Sequence, residues 1–142
     1  QGTAGKPMLD VLLGEGLHNT AVVVTRYFGG IKLGAGGLTR TYGKCVAQAV
    51  DEAGLAERVP MGDYSFVWSL DDVGRVLNQL YQQPLFTVGD VEYANRAKIH
   101  LVMPRNRKGE AEAWLTEILS RPVNLEEEKT FFEECAVDPG QP

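Results

Sequence analysis

The sequence predicts an α+β protein in two parts, on three observations. In the first half a glycine-rich loop joins a β-branched apolar run to a long amphipathic helix. Arg58-Val59-Pro60-Met61-Gly62 then breaks the pattern, because proline disfavours helix at the residue before it. Beyond that break the order becomes strand, helix, strand, strand, helix, strand. We therefore place a first domain at 1–59, a second at 62–135 and a tail at 136–142.

The elements follow from periodicity and punctuation. Pro7 suits a first helical turn, Met8, Val11 and Leu12 give that helix an apolar side, and Gly14 and Gly16 stop it. Residues 20–28 are β-branched and aromatic around an unbroken apolar centre, as in a strand covered on both faces. Leu38 to about Glu57 reads as the longest helix, with Leu38, Tyr42, Cys45, Val46, Ala49, Val50 and Ala53 inward, Cys45 buried, and Arg40 and Lys44 on the other side.

In the second part, residues 63–70 alternate with Tyr64, Phe66 and Trp68 on the core face, and Asp71 or Asp72 caps a helix that turns Val73, Val76, Leu77 and Leu80 inward. Strands at 85–94 and 97–103 flank a turn at Asn95-Arg96. A helix over 108–120 buries Ala111, Trp114, Leu115, Ile118 and Leu119, and a charged strand over 124–133 closes the domain. This βαββαβ order is the ferredoxin-like plan, an antiparallel sheet with two helices on one face.

With 142 residues and 44% hydrophobic content the chain has the composition of a packed globular protein. No apolar run approaches the roughly 18 residues of a membrane span and no signal peptide opens the chain, so a cytoplasmic protein is expected. Cys45 and Cys135 stand far apart without metal-ligand spacing, which points to free thiols and no metal. The net charge is −5, but it is unevenly distributed. No carboxylate lies between Glu15 and Asp51, while Arg26, Lys32, Arg40 and Lys44 all do, an electrostatic footprint for phosphate.

The segment joining the 20–28 run to the long helix holds Gly29, Gly30, Gly34, Gly36 and Gly37. Glycines at this density suit a loop shaped around a ligand or another backbone, and the helix that follows presents unpaired N–H groups to an anion. Arg40 and Lys44, read as early helical positions, would oppose the macrodipole by about 0.3–1 kcal/mol each unless an anion offset them. The alternative is a loop packed on its own sheet beside a solvated basic surface. Known nucleotide loops match poorly. Gly29 and Gly34 have Walker A spacing, but Ala35-Gly36 stands where Lys-Ser/Thr is required, and Thr39 occupies the place of the last glycine of Gly-x-Gly-x-x-Gly. No catalytic constellation is present, and His18 and His100 read as ordinary surface or structural residues.

Gly2-Thr3-Ala4-Gly5-Lys6-Pro7, followed by Val24-Thr25-Arg26-Tyr27-Phe28-Gly29-Gly30-Ile31-Lys32-Leu33-Gly34-Ala35-Gly36-Gly37-Leu38-Thr39-Arg40, resembles the signature of the IMPACT family, in particular its bacterial YigZ-like branch. The resemblance implies a first domain similar to the second domain of ribosomal protein S5 and a ferredoxin-like second domain, a pairing similar to two domains of the translocation elongation factor. Family members carry further strands and a helix before the first motif. The resemblance therefore implies that 1–59 is the C-terminal portion of its domain, with an open sheet edge that invites homodimerisation.

The expected function is that of a non-catalytic, cofactor-free RNA- or ribosome-associated binding protein linked to regulation of translation. Arg26, Lys32, Gly34, Gly36, Gly37, Arg40 and Lys44 are its candidate phosphate contacts. A translation factor or ribosomal protein is a further expected partner. The alternatives are a small-molecule nucleotide- or phosphate-binding enzyme using the glycine loop, and a protein-interaction module using the acidic second domain. Arg105, Arg107 and Lys108 form a second basic loop, read first as a solvated turn.

Overall fold

The computed structural model describes residues 2–137. It divides into two compact units, the first running to Ala56 and taking in Ala136, the second Glu57–Cys135. Most of the expected tail, 138–142, lies outside the described residues.

The first unit holds helices α1 (Gly5–Gly14) and α2 (Gly34–Ala53). They pack at Gly43, where an added Cβ would make ordinary contact with the Pro7 carbonyl (3.8 Å) and Val11 (3.9 Å). Leu12 and Val46 are its buried apolar anchors. The helix α2 starts and ends four residues before the 38–57 span expected from periodicity. Gly34, Gly36 and Gly37 supply its first turn, and Gly54, at φ 75°, terminates it. Cys45 is exposed, not buried.

The strand expected at 20–28 does not form. These residues carry no ladder, and Val23, Tyr27 and Phe28 are exposed. A strand exists only with a neighbour to take its N–H and C=O groups, and among the described residues no second strand lies in this unit. Val137 N–H, near the chain's other end, donates to Leu55 C=O at 3.0 Å.

The second unit is built from β1 (Ala56–Trp68), α3 (Val73–Leu80), β2 (Thr87–Tyr93), β3 (Ala97–Pro104), α4 (Lys108–Leu119) and β4 (Glu126–Ala136). The sheet order is β2-β3-β1-β4, with β1 and β2 both antiparallel to β3. Alternation sends Tyr64, Phe66 and Trp68 of β1, and Ala97, Ile99, Leu101 and Met103 of β3, into one core with Val76 and Leu80 of α3 and Ala111 and Leu115 of α4. The helices therefore cover one face, and the other carries Asp63, Ser65, Lys98 and His100.

The break at Arg58–Gly62 lies inside β1, and the two compact units divide just before it, between Ala56 and Glu57. Pro60, which has no N–H to give, precedes the Met61–Trp68 stretch paired with β3. Gly62 makes room for the Tyr64 ring, which an added Cβ would approach to 2.5 Å. Asp72 does stand at the amino end of α3, but its carboxylate makes no cap bond. It accepts hydrogen bonds from Arg75 Nε (2.7 Å) and Nη2 (2.6 Å) and from Trp68 Nε1 (3.1 Å) instead.

These bonds, Arg75 first and Trp68 next, hold Asp72 down at about 2, below the usual 3.8. A depressed carboxyl stabilises the fold above its ordinary value and ceases to do so as pH falls through the folded one. Acid titration of Asp72→Asn is therefore expected to give a shallower loss of stability between pH 4 and 2 than the parent, measured by urea unfolding at each pH.

Candidate functional site

The candidate site belongs to the first unit. Residues 24–35 run as an irregular strap from the extended segment into α2, turning at Gly29 (φ 123°) and Gly30 (φ 82°) and entering the helix through Gly34 (φ 73°). At these three positions a side chain would strain the backbone. Gly36 and Gly37 are helical; at Gly37 an added Cβ would fall 2.9 Å from Leu33 Cβ, whereas at Gly36 it would meet open space.

The strap and α2 border an open cleft of about 890 Å³, lined by Arg26 and Lys32, by Tyr27 and Tyr42, and by Gly29, Gly30 and Gly34 among others. The amino end of α2 has no side-chain cap and no acid in its first turn, so its N–H groups and partial positive charge are uncompensated. Thr39 and Thr41 do not serve as caps. Their hydroxyls donate back to the carbonyls of Ala35 and Gly37, at 2.9 and 2.8 Å.

The seven predicted contacts do not form one constellation. Arg26, Lys32 and Gly34 line the cleft, whereas Gly36, Gly37, Arg40 and Lys44 do not. Leu38, Tyr42 and Cys45 mark the cleft side of α2. At 3.6 residues per turn, Arg40 and Lys44 project from roughly the opposite side, about one turn apart. With the helix starting at Gly34 they also sit in its second and third turns, where the macrodipole opposes them little. The predicted patch is thus a cationic pocket and a separate cationic helix face.

Charge pairing sets the carboxylate-free stretch apart. Among the described residues, Arg26, Lys32, Arg40 and Lys44 form no ion pair, and Arg26 instead lies over the Phe28 ring at 4.4 Å. In the second unit, with fourteen acids against nine bases, Lys98 pairs with Glu128 (2.6 Å), Arg105 with Glu127 (3.4 Å), Lys108 with Glu112 (3.8 Å) and Lys129 with Asp63 (3.8 Å). Arg105 and Lys108 of the second basic loop are therefore engaged within their own unit.

His100, read from sequence as ordinary, sits at the centre of the second unit's polar face. Its Nδ1 lies 3.0 Å from Asp63 Oδ1 and its Nε2 3.1 Å from Glu92 Oε1. Ser65 Oγ donates to Glu128 at 2.6 Å. Only the register makes this cluster visible: Ser65 stands opposite His100, and Asp63 is its diagonal neighbour.

Fold and site together define an α+β protein with two parts: a unit whose glycine strap carries cations without ion pairs among the described residues, and an acidic sheet unit. Residues 1–50 match the model of the Impact N-terminal domain. The chain belongs to the IMPACT family. It is 35% identical to the IMPACT family member YvyE of Bacillus subtilis over 143 residues, 96% of this chain and 63% of that protein. Identity to the IMPACT family member YigZ of Escherichia coli is 47% over 64 residues, 45% of this chain and 31% of that protein. An IMPACT family member of Haemophilus influenzae is 39% identical over 113 residues, 75% of this chain and 50% of that protein. The chain thus spans less than two thirds of the length of each. A crystal structure described as that of a hypothetical protein shares 28% identity, covering 96% of this chain and 62% of that one, with a TM-score of 0.42. No helix among the described residues is long and apolar enough to cross a membrane.

Proposed function

We propose that the protein is a non-catalytic RNA- or ribosome-binding member of its family, linked to regulation of translation in the cytoplasm, and that it holds RNA through phosphate contacts. In this reading the first unit is part of a domain like the second domain of ribosomal protein S5, and the second unit is ferredoxin-like. The observation that carries the proposal is the segregation of charge: among the described residues, four cations in a carboxylate-free stretch lack acidic partners, whereas six of the chain's other ten Lys and Arg are ion-paired. Arg26 and Lys32, beside the uncapped amino end of α2, receive one phosphate group. Arg40 and Lys44 receive others along the helix. Cations on two sides of one helix suit a chain of phosphates better than a single one.

The polar sheet face of the second unit suits RNA poorly. Its Lys98 and Lys129 are paired, and its strand β3 carries no Phe, Tyr or Trp, while the His100 ring is held between Asp63 and Glu92.

The test is titration with fluorescent single-stranded and structured RNA at low and near-physiological salt. The expected result is salt-sensitive binding that falls at least several-fold in a folded Arg40→Glu/Lys44→Glu variant, and again in Arg26→Glu/Lys32→Glu. Unchanged affinity in both variants would remove the phosphate-contact reading. A second reading, a small nucleotide ligand, is favoured by the cleft with Tyr27 and Tyr42, whose size falls within the roughly 300–1,000 Å³ of small-molecule sites. Stoichiometric ATP binding without RNA binding would replace the first reading with this one.

A further inference from the structure

We propose that doubly protonated His100 is a proton-operated latch that holds edge strand β2 to the sheet of the second unit, and that losing its proton frees β2 by releasing Glu92.

The ring geometry carries this inference. Each imidazole nitrogen faces a carboxylate oxygen, Asp63 of β1 at 3.0 Å and Glu92 of β2 at 3.1 Å. A carboxylate only accepts hydrogen bonds, and a neutral imidazole has one N–H to give. Both contacts are therefore hydrogen bonds only while the ring is imidazolium. Removing the proton leaves one nitrogen lone pair facing a carboxylate, and one of the two contacts must open.

The surroundings decide which. Asp63 is buried, and its second oxygen lies 3.8 Å from Lys129 Nζ of β4. The Glu92 side chain is 65% exposed, so water can replace its bond to the ring. The remaining charges near the ring, Lys98 on its own strand and Glu128 on β4, are paired with each other at 2.6 Å, with Ser65 closing the second bond to Glu128. The helices pack on the opposite face and add no charge here.

Strand β2 is also weakly held. It lies at the edge of the sheet, pairs only with β3, and its register breaks between Val88 and Val91. In that break Gly89 rests on His100, where an added Cβ would meet the His100 Cβ at 3.3 Å. Thus Glu92–His100 supplements a ladder that is already interrupted, and opening it exposes pairing groups at a sheet edge.

Burial opposes charge on the ring, but the hydrogen bonds to Asp63 and then Glu92, with the charges of both, hold His100 above its ordinary 6.5. A raised imidazolium stabilises the fold fully below the ordinary value, and that contribution is lost as pH rises through the folded one. The latch is therefore closed in mild acid and opens on the alkaline side.

The chain has two histidines, so His18→Gln, a change at an exposed position of the first unit, leaves one imidazole for NMR titration. We expect His100 to titrate above 6.5, with both ring nitrogens protonated below that midpoint. After correction for intrinsic exchange, the amides of Thr87–Tyr93 should exchange several-fold faster above the midpoint than below it, while those of Tyr64–Trp68 do not. Glu92→Gln should abolish this step, because its amide can pair with either protonation state of the ring. Titration of His100 at or below 6.5, or β2 exchange that does not follow its titration, would overturn the proposal.

Discussion

Trp68→Ala is expected to lower the stability of the second unit by about 3–5 kcal/mol, a large share of the roughly 5–15 kcal/mol that holds a domain together. Trp68 is 3% exposed at the end of β1. Its ring meets Phe66 edge-on at 6.3 Å, Arg121 lies 3.9 Å over its face, and its N–H reaches Asp72 at the start of α3. One side chain therefore ties a strand, a helix start and the segment after α4. Alanine leaves a cavity among groups that cannot collapse onto it and withdraws the indole from Asp72. Urea unfolding followed by the fluorescence of Trp114, which packs edge-on against Phe86 at 5.8 Å, reads the change within the same unit. Trp68→Phe should retain part of the packing and fall between the two. A loss for alanine below about 1 kcal/mol would contradict this account of the core.

Gln83→Ala should cost about 2–4 kcal/mol, as much as a core truncation, although Gln83 lies in a loop. Its Nε2 donates to the carbonyls of Leu80 (2.7 Å) and Phe86 (3.1 Å), and its Oε1 accepts from the N–H groups of Leu85 (2.5 Å) and Phe86 (3.2 Å). One amide thus satisfies four backbone groups where α3 ends and β2 begins, beside Pro84, which offers no N–H of its own. The helix α3 has only eight residues and is too short to persist without such anchoring. Gln83→Glu separates the two halves of the clamp: its oxygens can still accept from Leu85 and Phe86, but it has no donor for the two carbonyls. The fluorescence of Trp68 and Trp114 together reads both variants. A change within about 0.5 kcal/mol for alanine would mean that water replaces the side chain at all four groups.

These two residues were unequally legible in the sequence. Trp68 stands in a strict alternation with Tyr64 and Phe66, and the core face of β1 follows from that period alone. Gln83 has no periodic neighbour, and its importance depends on a turn that brings Leu80 and Phe86 to its two ends. The candidate site divides in the same way. The carboxylate-free stretch, the glycines and the cations could be read directly, as could the element order βαββαβ. That Arg40 and Lys44 lie away from the cleft depended on where α2 begins, and Gly34–Gly37, read as loop, became its first turn. Gly54 was the available signal for the other end, since glycine at positive φ is a common helix stop.

The expected strand at 20–28 shows the limit most clearly. Its composition favours extended backbone, but strand formation depends on a partner, and composition carries no information about whether one is at hand. By itself the sequence determined what is local: the periods of the helices and strands, the aromatic core face, the family signature and the cation-rich stretch. Each depends on residues within a few positions of one another along the chain. Tertiary structure alone decided that Lys98 and Lys129 would meet Glu128 and Asp63, and that His100 would stand between Asp63 and Glu92. Those outcomes require strands distant in sequence to adopt one register, and a pairing energy exists only once the register has brought its partners together.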